Sequence, residues 1–292
     1  MANLKEIRTR IASVKNTRQV TSAMKMVSAA KLRKAQDAII KIRPYTDQLH
    51  KVAAEISSAA GDDISSALIE EREVNKLLVV VFSSNKGLCG AFNYKIAKAA
   101  ITFVKEQYQN LLKAGKVQFL TIGKKADEII RREGFSVWRN ADDLLENANF
   151  ANSSELSGDL MQRFTNQEFD RVVVFYNAFK NAGVQYATRE DFLPVKIEED
   201  SEKHSDPNYL MEPSAGEIIQ DLMPRILQIS FHSAMLDSLA SEHGARMTAM
   251  HKATDNASDL INELTLNYNK ARQAAITNEI TEIVSGANAL GK

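Results

Sequence analysis

Apolar residues recur at helical spacing at both ends of the chain and at strand spacing in the middle. From residue 2 to about 58, Leu4, Ile7, Ile11 and Val14 follow one another at steps of three and four. So do Leu32, Ala35, Ile39, Ile42, Leu49, Ala53 and Ile56, with Thr46 filling one slot. These are a and d heptad positions, which lay one apolar seam along a helix. Between the two runs the strict register lands on Arg18, Thr21, Lys25 and Ser28, whereas the apolar residues are Val20, Ala23, Met24 and Val27. The pattern predicts a phase slip that locally alters the supercoil. Pro44 is expected to kink the helix or remove a hydrogen bond, and Gly61-Asp62-Asp63 to stop it.

The C-terminal segment carries a longer seam. Ser214 and Glu217 have capping-box spacing. From Leu222 a strict alternation by four and three runs through Ile226, Ile229, Ser233, Leu236, Ala240, His243, Met247, Met250, Thr254, Ala257, Ile261, Leu264, Tyr268 and Ala271 to Ala275. Pro224 places the expected start of the main helix there, after a short turn. A helix of roughly 65 residues is near 100 Å long at about 1.5 Å per residue, too long for a compact domain of this size to bury. The two terminal segments are therefore expected to form an antiparallel coiled coil, the C-terminal one projecting beyond its mate. Its end carries Ile276, Ile280, Ile283, Val284, Ala287 and Leu290 with no segment of the chain able to reach it. The alternatives are a frayed tail and a tip buried in another protein.

Between them strands alternate with helices. Leu77–Phe82, Val117–Ile122 and a short stretch around Phe135–Trp138 read as strands. Phe92–Ala114, Lys124–Glu133 and Ser154–Asn166 read as helices. Arg171–Phe179 and Gln185–Leu193 form two strands joined by a hairpin-like turn at Asn181–Gly183. The fold class is thus α/β plus a long antiparallel coiled coil, with a central Rossmann-like α/β domain. The expected division is 1–60, 61–213 with an acidic loop at 196–213, and 214–292.

Composition narrows this picture. The 37 basic and 37 acidic residues cancel, and 44% of the 292 residues are hydrophobic, which excludes a disordered chain. The cancellation hides a split. Residues 1–60 hold twelve Lys/Arg against four acids, a net +8, whereas 61–213 carry −5 and 214–292 carry −3. A basic first arm is either a solvated face or a docking surface for an acidic partner. A third reading, a nucleic-acid-binding coiled coil, is opposed by the acidic remainder. No run of about 18 apolar residues suits a membrane span. Met1 leads into a charged amphipathic pattern without an apolar signal core or clear transit peptide.

Candidate chemistry is sparse. Ser83-Ser84-Asn85-Lys86-Gly87-Leu88-Cys89-Gly90 follows a strand and precedes a helix, where α/β proteins often bind phosphate. It matches neither phosphate-loop glycine pattern, so Gly87 and Gly90 also suit a plain turn. Cys89, the single cysteine, has no histidine near it in sequence and suits a small core position. His243 and His251 share a helix eight residues apart, which is poor metal-ligand spacing. An α/β nucleotide-binding enzyme with helical arms remains a competing reading. No cofactor and no catalytic residue is expected.

Four stretches carry a resemblance. They are LKEIRTRIASVKNTRQVTSAMKMVSAAKLRKAQ (4–36), SSNKGLCGAFN (83–93), SEHGARMTAMHKATDNA (241–257) and LNYNKARQAAITNEITEIVSGANAL (266–290). In these the chain resembles the γ-subunit family of rotary F-type ATP synthases, bacterial type. The resemblance is dense over both arms and looser in the middle. It implies a central rotor shaft, itself non-catalytic, turning inside a ring of three α and three β subunits. Its α/β foot would sit on the membrane c-ring with the ε subunit. By that resemblance Met24 and Lys25 lie near an acidic lever loop of β. Arg272, Gln273 and Thr277 match positions that hydrogen-bond the β catch region. Ile276, Ile280, Ile283, Val284 and Leu290 form a bearing tip, and Tyr209 faces the c-ring. It implies proton-driven rotation, no nucleic acid, and peripheral association with the cytoplasmic face of a bacterial plasma membrane. Asn85 departs from the acid usual in the family and Gly244 from the common alanine. Without paired cysteines, the thiol switch of plastid members is not expected.

Overall fold

Four runs of β-branched and aromatic residues pair in parallel around the most apolar of them. The computed structural model describes residues 4–60, 67–195, 212 and 214–290. In chain order its elements are α1 (Leu4–Ala60), β1 (Leu77–Phe82), α2 (Phe92–Gln107), α3 (Gln109–Lys113), β2 (Val117–Ile122) and α4 (Lys124–Arg132). There follow β3 (Val137–Asn140), a 3-10 turn (Asp142–Leu145), α5 (Phe150–Thr165), β4 (Arg171–Asn181), β5 (Val184–Leu193) and α6 (Ala215–Leu290). Two compact units emerge, one from 1–28 with 247–292 and one from 29–246.

The larger unit holds a five-stranded sheet in the order β3-β2-β1-β4-β5. β1 pairs in parallel with β2 and β4, β2 in parallel with β3, and β5 runs antiparallel to β4. All six residues of β1, LLVVVF, are buried, as a central parallel strand covered on both faces requires. On one face Phe82, Leu160, Phe231 and Met235 pack in a core shared by α5 and α6, and Ile56 of α1 joins it. On the other face Ile96 and Val104 of α2 and Ile130 of α4 cover Val79, Phe119 and Phe175.

The β4–β5 hairpin outruns the sheet. β4 pairs with β1 only as far as Phe175, but with β5 as far as Asn181. Asn181 shapes the tip, its Oδ1 accepting from the N–H groups of Gly183 and Val184 at 2.9 Å. That tip rests on α6 at Gly244. A Cβ there would stand 3.2 Å from Ala182 Cα, so the glycine permits a close backbone approach.

In the smaller unit, Thr254 Oγ1 donates to Thr21 Oγ1 at 2.9 Å, and Arg8 donates to the Tyr268 hydroxyl at 2.7 Å. As the α1 position falls from 21 to 8, its α6 partner rises from 254 to 268, which is an antiparallel register. Met250, Ala257, Ile261 and Leu264 are buried along the α6 seam.

Several boundaries differ from the sequence expectations. The phase slip does not occur. The strict register continues onto Thr21 and Ser28, which are buried, while Val20 and Val27 are exposed. The hydroxyls make this tolerable by bonding back into their own turns, Thr21 to Arg18 O at 3.1 Å and Ser28 to Met24 O at 2.7 Å. Helix α6 starts at Ala215 rather than Pro224, because Ser214 Oγ accepts from Glu217 N–H and Ile219 and Met223 are already buried. Burying those two side chains and capping the start outweigh the roughly 3 kcal/mol that an internal proline costs. Phe92–Ala114 is split at Tyr108, whose φ/ψ of −128/35 leaves the helical region. Helix α5 begins four residues before Ser154, where Asn149 caps it by accepting from Asn152 N–H at 2.8 Å. β3 starts two residues later than read. The stop at residues 61–63 and the acidic loop, apart from Glu212, lie outside the described residues.

Candidate functional site

Loop 83–90 lies at the C-terminal end of β1, where β2 and β4 flank the strand. Its polar groups are turned inward. Ser84 N–H donates to Asn93 Oδ1 at 3.0 Å, and Asn93 Nδ2 donates to Ser84 Oγ at 2.8 Å and to Cys89 Sγ at 3.2 Å. The first turn of α4, the other natural anion site, is also committed. Lys124, Lys125 and Ala126 donate their N–H groups to Asn85 Oδ1, Ser84 O and Ser83 Oγ at 3.2, 3.1 and 3.1 Å. A phosphate would have to displace the loop from all of these donors. Burial pushes the Cys89 thiol up, away from thiolate. Among the described residues no group of three or more His, Cys, Asp or Glu could hold a metal ion.

Helix α6 closes this crevice. Arg246 donates to Lys86 O at 2.8 Å and Gly87 O at 3.2 Å, and pairs with Glu242 at 2.6 Å. Both charged side chains are only 9% exposed. Burial pushes the Glu242 carboxyl up, opposed by the guanidinium beside it. Asn85, the departure noted above, bridges by donating to Asp142 O at 2.9 Å as it accepts from Lys124.

Two surfaces able to meet another macromolecule lie in the smaller unit. On α1, Met24 and Lys25 are half-buried, so part of each faces outward. Beside them Val20, Met26 and Val27 are 58%, 63% and 56% exposed. This apolar strip is the feature missed by the sequence reading, which had placed Val20 and Val27 inside the seam. The usable signal was the pair of small hydroxyl residues at the strict heptad positions.

On α6 every residue from Arg272 to Asn288 is exposed. Ile276, Ile280, Ile283 and Val284 line one side of the helix, at 48%, 55%, 65% and 52% exposure. Gln273 and Thr277 share that stretch, joined by Thr277 Oγ1 donating to Gln273 O at 2.9 Å. Leu290 is the last residue of α6, and its side chain lies outside the described residues, as does Tyr209 altogether. On the antiparallel register Lys25 stands level with about residue 250, some twenty residues from Arg272, or about 30 Å along the pair. The predicted contact residues thus form two patches rather than one. No described helix is long and apolar enough to cross a membrane.

Comparison with known proteins bears on the whole chain. A family model described as ATP synthase matches residues 3–290. The chain is 50% identical over 290 residues to the ATP synthase gamma chain of Christiangramia forsetii, covering 99% of each. It is 48% identical to that of Cytophaga hutchinsonii and 42% to that of Geobacter metallireducens, again over 99% of each. The fold is similar to a chain in the cryo-EM structure of the Euglena gracilis mitochondrial ATP synthase OSCP/F1/c-ring in rotational state 3. The TM-score is 0.69 at 22% identity, over 98% of this chain and 94% of that one. A chain of the rotor of the same synthase in rotational state 1 gives 0.66 at 20%, over 94% and 98%.

Proposed function

The chain belongs to the ATP synthase γ-chain family, and we propose that it is the central rotor shaft of a bacterial, proton-translocating F-type synthase. The shaft couples rotation of a membrane c-ring to the conformational cycle of three β subunits in a ring with three α. It makes and breaks no bond itself. The observation that carries the reading is the bare end of α6: exposed apolar surface on that scale is costly in water unless another protein covers it.

The mechanism is one of differential contact. A rotor can shift three β sites into different states only if each orientation contacts those states differently. The two patches supply the asymmetry. Met24 and Lys25, with Val20, Met26 and Val27 beside them, face the β lever loop. Arg272, Gln273 and Thr277 reach the catch region, and Ile276, Ile280, Ile283, Val284 and Leu290 turn in the sleeve as a bearing. The +8 arm offers complementary charge to an acidic loop. Residues 61–213 form the foot on the c-ring and ε subunit, with Tyr209 facing the c-ring, and 1–60 and 214–292 form the arms. Association with the cytoplasmic face of the plasma membrane is peripheral, through the complex.

Removal of residues from 277 onward, read in reconstituted vesicles, tests this. Proton-driven ATP synthesis is expected to fall more than recovery of the assembled α/β ring. Undiminished synthesis by the truncated rotor would remove the reading's main support.

A further inference from the structure

On the face of the sheet away from α6, a concave surface of about 690 Å³ lies between α2 and the β4–β5 hairpin. Its lining is cationic and aromatic: Lys95, Lys98 and Arg189 converge there with Tyr94 and Phe103, and Glu106 is the one acid. Two of the cations stand over rings, Arg189 at 4.9 Å from the Phe103 centroid and Lys98 at 5.7 Å from that of Tyr94. Stacking holds such a cation in place and leaves its charge available.

Several exposed cations of this unit have their own counter-ions. Arg131 meets Asp127 at 2.9 Å, and Arg163 meets Asp159 at 2.9 Å. Lys95, Lys98 and Arg189 meet no carboxylate within ion-pair distance among the described residues. Tyr94 is 53% exposed at the rim although its body is apolar. Arginine and tyrosine around a hollow, with three cations against one acid, are what a protein-binding surface offers an acidic partner.

We infer that the α2–β5 face docks an acidic segment of another synthase subunit, whose carboxylates pair with Lys95, Lys98 and Arg189. This rests on the rotor reading, because the partner is a member of the same assembly. The surface belongs to the larger unit, and both patches assigned to β contact belong to the smaller one.

The test uses the intact complex purified through a tag on this chain and treated with a water-soluble carbodiimide. This reagent joins lysine to a carboxylate only where they already touch. Peptide mass spectrometry is expected to find Lys95 or Lys98 joined to Asp or Glu of another subunit, well above the level at exposed Lys113. The variant K95E/K98E/R189E is expected to bind that subunit about tenfold more weakly. K95Q/K98Q, which removes charge without reversing it, falls between. An assembled complex in which Lys95 and Lys98 are joined to no other subunit overturns this inference alone. So does binding of the free chain to anionic phosphatidylglycerol vesicles that the triple variant abolishes, if no cross-links form, because the surface then serves lipid. Absence of β subunits from the purified material overturns the rotor reading itself.

Discussion

Thr21 and Thr254 stand 233 positions apart in sequence and share a hydrogen bond of 2.9 Å across the seam between α1 and α6. Thr21, accepting from Thr254, donates its own proton to Arg18 O at 3.1 Å. The pair joins α1 to α6 without leaving a buried hydroxyl unpaired, and it fixes the antiparallel register.

Replacing Thr254 with valine keeps the shape and removes that bond. Thr21 retains Arg18 O, so the expected loss is small, about 1 kcal/mol. Urea unfolding of the full chain measures it. Arginine at position 21 is expected to cost far more, because its charge would enter the seam.

Gly123 is expected to resist every substitution. Its φ is +112°, and a Cβ would lie 2.6 Å from Ser83 Oγ and 2.8 Å from the Ser83 backbone carbon. Gly123→Ala must move β1's end or break the loop, at a cost of about 3 kcal/mol. A loss below about 1 kcal/mol in a thermal melt would contradict that packing.

Breaking the Glu242–Arg246 pair strands one buried charge. Arg246→Ala is expected to cost about 3 kcal/mol and to raise hydrogen exchange of loop 83–90. Glu242→Leu with Arg246→Met recovers part of the stability but not the exchange protection. Native-state exchange of the two variants separates the roles of the charge and of the loop contacts.

His243 supplies a pH signature. Burial, with the nearby Arg246 and Lys31 charges, pushes it from 6.5 down to about 4. Its Nδ1 lies 3.4 Å from the Arg246 guanidinium, which can only donate, so that nitrogen accepts and the ring is neutral. A base held neutral in the fold stabilises it above the ordinary histidine value. That stability is lost as pH falls from about 6.5 through about 4. Relative to His243→Asn, the natural protein is expected to weaken across this window by on the order of 2 kcal/mol. Parallel curves for the two proteins would place the charge elsewhere.

The elements of the sheet and both arms were legible because each follows one period, LLVVVF for a buried strand and the 4,3 steps for the seams. What escaped was decided by single polar atoms. Thr21 and Ser28 look like breaks in a seam until their hydroxyls are seen bonded within the helix. Pro224 looks like a start until Ser214 is seen capping ten residues earlier. Loop 83–90 lacks both phosphate-loop patterns and reads as a turn, but which groups fill it shows only once Asn93 and Asn85 are seen using its groups and those of α4. Gly244 looks like a bare departure from alanine until the hairpin tip is found against it. The α2–β5 surface left no trace in any local motif, because its cations come from elements about ninety residues apart.

Loop 83–90 gathers bonds from four elements: Asn93 of α2, the first turn of α4, Gly123 after β2, and Arg246 of α6. A sideways load entering through α6 at Arg246 is therefore shared at once by β1, α2 and α4. The larger unit then shears as one block, where a looser joint would let a single helix peel away first. Crowding buried donors and acceptors around one short loop thus trades a vacant crevice for a joint without backlash.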